Sequence, residues 1–291
     1  MPSTTIQWFP GHMAKTRRLM QENLPKVDIL IELLDARIPL SSRNPEIHRI
    51  AGKKPLLTLL NKAGLASPEA NEAWISEFER RGEHALLIDC VEGDGIGKIA
   101  DKIRTILADK VERYREKGMD GRRLRAMIVG IPNVGKSSLI NRMCGSGKTK
   151  VENRPGVTLS KQWVSTSIGI DLMDMPGVLW PKFDDQTVGE NLAFTGAIKD
   201  NILDVEELAM MLALRLRSVC PDLLCLRYKL TAEEIEDLDG YDLLALIGKK
   251  RGMLIAGGET DFRRAANMLL DEFRHAKIGC ITLEMPKQQR M

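Results

Sequence analysis

The stretch GIPNVGKSS, Gly130 to Ser138, constrains the fold more than any other part of this chain. It is a G-x4-G-K-S loop, preceded by the apolar run LRAMIVG (124–130) and followed by SSLINRM, which has helical character. Strand, loop and helix in that order is the setting in which such a loop wraps phosphates. Its glycines permit a tight turn, so N–H groups of residues 133–138 point at phosphate oxygens, and the new helix adds its positive end. Asn133, Val134, Gly135, Lys136, Ser137 and Ser138 are therefore expected around a nucleotide's phosphates. Lys136 would reach the outer phosphates and the Ser137 hydroxyl would ligate magnesium.

A loop of this kind needs a sheet behind it, and the chain supplies one. VDILIELLD (27–35), PLLTLLNK (55–62) and HALLIDC (84–90) read as buried strands, like 124–130. KQWVSTS and IDLMD read as a hairpin joined near Gly169. Near-continuous apolar strands alternating with helices argue for an α/β fold with a mostly parallel sheet covered on both faces. Ser67 and Pro68 open one helix, and a long amphipathic helix is expected over 96–117, ended by GMDGRR. Residues 12–24 read as a short basic helix with Met13, Leu19, Met20 and Leu24 inward.

After Pro181 the character turns helical, with Val205, Leu208, Leu212, Leu216 and Val219 at helical spacing and a TAEE capping box at 231–234. The pattern continues to about residue 275. This suggests two domains, 1–183 around the sheet and a small all-helical domain over 184–291. The odd count of five cysteines, with no C-x-x-C pair, suits reduced thiols in a cytosol. No apolar run reaches the length of a membrane span, and the first residues lack the order of a secretory signal. A formal charge of +3 is slight, so a nucleic-acid partner would have to be held by local patches.

Two more segments fit a nucleotide site. Asp174-Met-Pro-Gly177 ends a strand, where an acid can hold magnesium and the Gly177 N–H can touch a terminal phosphate. Between it and the phosphate loop, Thr158 in RPGVT is a candidate second hydroxyl ligand of magnesium. Asn61-Lys62-Ala63-Gly64 follows a buried strand, as in guanine-binding proteins, where the asparagine contacts the base and the lysine stem packs beside it. Cys90 and Val91, ending the next strand, lie where a backbone contact to the base is expected. The fourth position of the asparagine motif normally carries an aspartate that takes two hydrogen bonds from guanine, but here it is Gly64. Losing two charge-assisted bonds should cost about 2–4 kcal/mol, or about 30- to 1000-fold in affinity.

The chain resembles the bacterial ribosome biogenesis GTPase A family, a group of circularly permuted GTPases. The resemblance covers essentially its whole length. It is carried by QWFPGHMAK (7–15), DARIP (35–39), NKAG (61–64), GIPNVGKSS, RPGVTLSKQW (154–163), DMPGVLWPKF (174–183) and TGAIKD (195–200). Gly64 departs from the family's aspartate and Cys90 from its serine. Permutation accounts for the motif order, in which the base-binding elements precede the phosphate loop and the switch segments follow it. The resemblance implies a circularly permuted P-loop GTPase domain whose DMPG segment leads directly into the helical domain. It also implies GTP as substrate, magnesium held by Ser137, Thr158 and Asp174, and a cytoplasmic protein, monomeric off the ribosome.

Many GTPases carry a water-orienting glutamine just after D-x-x-G, where this chain has Val178. The resemblance puts His12 near the nucleotide as the candidate catalytic group. Asn133 resembles an asparagine that in some GTPases ligates potassium, an ion that can supply positive charge to the phosphates. The partner implied is a maturing large ribosomal subunit, met as rRNA. Lys15, Arg17 and Arg18 beside Trp8 and Phe9 fit this, as do Lys249, Lys250, Arg251, Arg263, Arg264, Arg274 and Lys277 in the helical part. Two alternatives stay open. One is a nucleotide-gated RNA-binding scaffold with little hydrolysis, and the other an NTPase of relaxed base specificity, which Gly64 motivates.

Overall fold

The structure is a computed structural model that describes residues 11–145, 163–177, 179–180, 183 and 185–287, with side chains from residue 15 onward. Six strands form one sheet: β1 (Ile29–Asp35), β2 (Leu56–Asn61), β3 (His84–Leu87), β4 (Leu124–Gly130), β5 (Trp163–Ser165) and β6 (Ile170–Asp174). Every residue of β1 is buried, as expected of a central parallel strand covered on both faces. The spatial order is β3-β2-β1-β4-β6-β5, and only β5 runs antiparallel, to β6. The chain therefore runs outward from β1 through β2 to β3, and after a crossover β4 lies on the other side of β1, with β5 at the far edge and β6 between them. The order reverses between β1 and β4, which is where an open α/β sheet leaves a crevice at its strand ends.

The register delivers the motifs to that crevice. Asp35 pairs with Asn61, Gly130 with Leu33, and Asp174 with Ile128, so the motif-bearing ends of β1, β2, β4 and β6 finish on one edge. The helices are α1 (Gly11–Asn23), α2 (Pro45–Ala51), α3 (Pro68–Arg80), α4 (Ile99–Ile106), α5 (Ala108–Glu116), α6 (Lys136–Cys144), α7 (Gln186–Phe194), α8 (Val205–Val219), α9 (Pro221–Tyr228), α10 (Ala232–Ile235), α11 (Gly240–Lys250) and α12 (Phe262–Arg274). Ser67 caps α3 by accepting from the Ala70 N–H, and Thr231 with Glu234 forms the expected capping box of α10. Leu19, Met20 and Leu24 face inward as expected.

Two expectations are corrected. The single helix over 96–117 is broken at Leu107 (φ −103°, ψ 19°) into α4 and α5. Ile99, Ile103 and Leu107 sink into the core, whereas α5 buries no residue fully and meets the core only through the partly buried Val111 and Tyr114, so its axis follows the surface instead. In α8, Val205, Leu208, Leu212 and Leu216 are buried, but Val219 is 43% exposed because it is the last residue of the helix. α8 packs against α11 and α12, and apolar contact continues from these helices through Leu192 and Phe194 to Ile131 and Leu139 beside the sheet.

The C-terminal segment carried no recognisable pattern. It leaves α12 and returns across the sheet's motif-bearing edge. The Ile281 N–H donates to Leu65 O (3.1 Å), the Leu283 N–H to Arg37 O (2.8 Å) and Trp74 Nε1 to Glu284 O (2.8 Å). The Glu284 carboxylate accepts from the N–H groups of Leu40 (2.6 Å) and Ser41 (3.0 Å) and from Asn191 Nδ2 (3.1 Å).

Candidate nucleotide site

Between β4 and α6 the phosphate loop takes backbone conformations that its residues were chosen for. Gly130 has φ 155°, and a Cβ there would stand 2.6 Å from Leu33 O. Gly135 has φ 106°, and a Cβ there would collide with the side-chain nitrogen of Asn61. Both positions need glycine, for conformation and for space. Asn133 also lies in the left-handed region (φ 56°), which asparagine tolerates better than most residues.

Lys136 opens α6 and is buried, its ammonium donating to Gly130 O (3.1 Å) and Ile131 O (2.8 Å). Burial lowers its pKa to about 8, against the opposing pull of Asp174. Asp174 is shifted upward by burial, with Lys136 and the Met175 N–H working against that. Its Oδ1 is buried and has no hydrogen-bond partner among the described residues. Gly177 lies directly on the phosphate loop, since a Cβ there would come 2.6 Å from Lys136 Nζ and 2.9 Å from Pro132. Ser137 is half-buried and Ser138 exposed in the first turn of α6. Thr158 and Val178 lie outside the described residues, as does the side chain of His12, whose backbone is in α1.

The base side is built around Asn61. Its Nδ2 donates to Val134 O in the phosphate loop (2.8 Å) and its Oδ1 accepts from the Cys90 N–H (3.0 Å). One amide thereby ties the phosphate loop to the loop after β3. Lys62, also left-handed (φ 62°), donates through Nζ to Asp35 Oδ2 (2.9 Å). Arg37 grips the same carboxylate with Nε (2.9 Å) and NH2 (2.7 Å). Burial would raise the Asp35 pKa, but Arg37 and Lys62 overcome it and hold the carboxyl far below the usual range. Burial lowers Lys62, against the pull of Asp35. Arg37 NH1 reaches Arg274 O (3.2 Å), linking the base side to α12.

The Cys90 thiol is pushed up to about 12 by burial and the neighbouring Asp89, so it stays protonated and unreactive at neutral pH. The Val91 side chain is 74% exposed, and its N–H donates to Asp89 Oδ1 (2.8 Å). Arg142 of α6 braces this loop from below, with Nε on Cys90 O (3.0 Å) and NH2 on Val91 O. The structure thus brings Asn61, Lys62, Cys90, Val91, Asn133–Ser138, Asp174 and Gly177 to one edge. Arg142, Asp89 and Glu284 carried no sequence signal. Asp35 and Arg37 were visible as part of DARIP, without a role.

The profile of the 50S ribosome-binding GTPase family (MMR_HSR1) matches residues 125–238. The ribosome biogenesis GTPase A of Priestia megaterium is 46% identical over 98% of this chain and 98% of its own length. That of Bacillus pumilus is 45% identical over 97% and 99%. The chain belongs to the ribosome biogenesis GTPase A family. Membership makes it a GTPase, which hydrolyses GTP, with a role in ribosome biogenesis. In fold it is similar to GDP-bound TM YlqF (TM-score 0.65, 22% identity, 92% of this chain and 99% of that one). GNP-bound YlqF from T. maritima is equally similar (TM-score 0.65, 21% identity, 94% and 99%). The permuted order of motifs and the sheet order β3-β2-β1-β4-β6-β5 are the family's fold.

The basic residues divide unexpectedly. Arg274, expected on an RNA-facing surface, is instead an internal clamp donating to Asp200 Oδ1 and Oδ2 (2.7 Å each), Phe194 O and Ala193 O. Lys250 pairs with Glu234, Arg251 with Glu272 and Lys277 with Asp271. Lys249, Arg263 and Arg264 are exposed, as are Lys15, Arg17 and Arg18 on α1, where Arg18 pairs with Glu22. Trp8 and Phe9 lie outside the described residues. No helix among the described residues is long and apolar enough to cross a membrane.

Proposed function

We propose that this family member acts in late assembly of the large ribosomal subunit in the cytoplasm, monomeric away from the ribosome. It binds the rRNA of the precursor particle in a nucleotide-dependent way and is stimulated by that particle to hydrolyse GTP. Residues 1–183 hold the nucleotide and 184–291 meet the RNA. One contact carries the reading: Asn133 Nδ2, in the phosphate loop, donates to Gly196 O (2.7 Å) in the segment that joins α7 to the other helices. A change at the phosphates can therefore reach the helical part directly through this hydrogen bond, with Gly177 seated on the same loop. Lys249, Arg263 and Arg264 provide sequence-independent phosphate contacts on that part.

The unpartnered Asp174 Oδ1 beside the opening of α6 suits a hard cation that prefers oxygen ligands. Asp174, Ser137 and Thr158 would hold magnesium, which when bound neutralises charge on the transferring phosphate. Lys136 releases its loop carbonyls to meet the outer phosphates, and Gly177 offers its N–H at their end. The Asn133 amide oxygen, opposite the nitrogen given to Gly196, would ligate potassium. His12 orients the attacking water. Its support is that α1, which carries it, packs through Met20 into the same apolar cluster as Met173 and Met175, on either side of Asp174.

GTP turnover measured with and without isolated large-subunit precursors tests this. Stimulation that is lost in His12→Ala, with nucleotide binding kept, is the expected result. Val178 at the usual glutamine position favours the scaffold reading instead. That reading wins if particles bind without stimulating turnover, and equal turnover of ATP would make the protein a relaxed NTPase.

A further inference from the structure

Gly64 stands where the family's base-reading aspartate is expected, yet a carboxylate lies close beside it. Asp89, on the loop after β3, points its Oδ2 at Gly64, 3.4 Å from the Gly64 N–H. A Cβ built on Gly64 would meet that same oxygen at 3.3 Å, and Gly64 is not among the residues with left-handed φ, so its backbone would accept a side chain. The Asp89 carboxylate therefore stands directly beside the point where a side chain at 64 would begin.

The other oxygen is fixed. Asp89 Oδ1 accepts from the N–H groups of Val91 (2.8 Å) and Glu92 (3.1 Å), which set the plane of the carboxylate. Among the described residues Oδ2 has only the long contact to the Gly64 N–H, so it keeps acceptor capacity. The side chain is 7% exposed, at the lip formed by the exposed Gly64. Asn61 and Lys62, the neighbours that would flank a base, are committed elsewhere, to Val134, Cys90 and Asp35.

We infer that Asp89 is the guanine-reading acid of this protein, a specificity determinant moved from the loop after β2 to the loop after β3. The inference rests on the proposal that residues 61–64 and 89–91 form the base pocket. Guanine offers two donors on one edge, its ring N1–H and its 2-amino group, and a carboxylate accepts from both. An amide cannot. In Asp89→Asn the amide oxygen still caps Val91 and Glu92, which turns the NH2 group towards Gly64 and the base. A donor then faces guanine's 2-amino donor, whereas xanthine presents an oxygen at that position and fits. The geometry also makes Gly64→Asp unfavourable in the parent chain, because it sets two carboxylates against each other.

Equilibrium binding of GDP, xanthosine diphosphate and ADP to the full chain and three variants decides the matter. The parent should prefer GDP strongly. Asp89→Asn should lose about 30- to 1000-fold for GDP while gaining xanthosine diphosphate. Gly64→Asp should gain nothing for GDP, and Gly64→Asp/Asp89→Asn should recover GDP binding, a gain that misfolding cannot imitate. Unchanged GDP preference in Asp89→Asn, or improved GDP binding in Gly64→Asp alone, overturns the assignment to Asp89. A parent that fails to distinguish GDP from ADP overturns the base-pocket proposal instead.

Discussion

Removing Asp35 should cost more than removing any surface acid. Asp35 and Arg37 are each 2% exposed in their side chains and Lys62 is 22% exposed, so this is a buried triad. Asp35→Ala leaves the Arg37 guanidinium buried over the Phe273 ring (5.7 Å), with the Arg274 carbonyl at 3.2 Å as its remaining side-chain hydrogen-bond acceptor among the described residues. Stranding a buried charge in this way costs about 3–5 kcal/mol. With a urea dependence of about 3 kcal/mol/M, the unfolding midpoint should fall by about 1–1.7 M. Urea titration followed by fluorescence of Trp74, which packs at the same edge, reads this directly. Asp35→Leu/Arg37→Met removes the fully buried pair and leaves the partly exposed Lys62 ammonium to turn to solvent, so it should recover most of the loss, because the main burden is the unpaired guanidinium. The acid limb gives a second test. Asp35 titrates below its unfolded value, so its stabilisation is complete above about pH 4 and drains as pH falls below that. The Ala variant should lose that part of the acid sensitivity. A midpoint within about 0.3 M of the parent, or a double variant no better than the single, would refute the argument.

The buried Lys136, with its pKa lowered to about 8, makes phosphate binding pH-dependent. GDP should bind about tenfold more weakly at pH 9 than at pH 7, because above pH 8 a proton must be taken up on binding, and a Lys136→Arg variant should flatten the profile. The same lysine is less protonated folded than unfolded, so the nucleotide-free protein should gain stability from it as pH rises from about 8 towards 10. Arg142→Ala frees the carbonyls of Cys90 and Val91 and should weaken GDP binding by about tenfold with little change in melting, as measured by calorimetry. Glu284→Ala leaves the N–H groups of Leu40 and Ser41 without their acceptor and the Asn191 amide with Ser41 Oγ alone, and should destabilise the chain by about 2–3 kcal/mol in urea unfolding.

Much of the fold was legible because its signals are local. Continuous apolar runs bounded by polar turns marked β1, β2 and β4, and Ser67, Pro68 and the Thr231–Glu234 box marked helix starts by satisfying nearby backbone groups. The phosphate loop was readable for the same reason, since its glycine positions follow from backbone angles within nine residues. The site was legible only where a motif spans a few consecutive residues. Helix direction past Leu107 was not, because it depends on what the core can receive rather than on amphipathic spacing. Nor was the role of Arg274, whose spacing fits an exposed basic face but whose partners, Asp200 and the end of α7, lie about 75 to 80 residues away.

The sequence by itself determined which segments become strands of the sheet, that a phosphate loop follows one of them, and that the motif order is permuted. The tertiary structure alone decided which side chains share a point in space. It set the Asp89 carboxylate against Gly64, Asp35 between Arg37 and Lys62, and Glu284 on Ser41, 243 residues earlier. A residue's type records what it can offer, whereas its partner follows from strand register and loop closure. For that reason a glycine at position 64 read as a missing acid in the sequence and stands beside one in the fold.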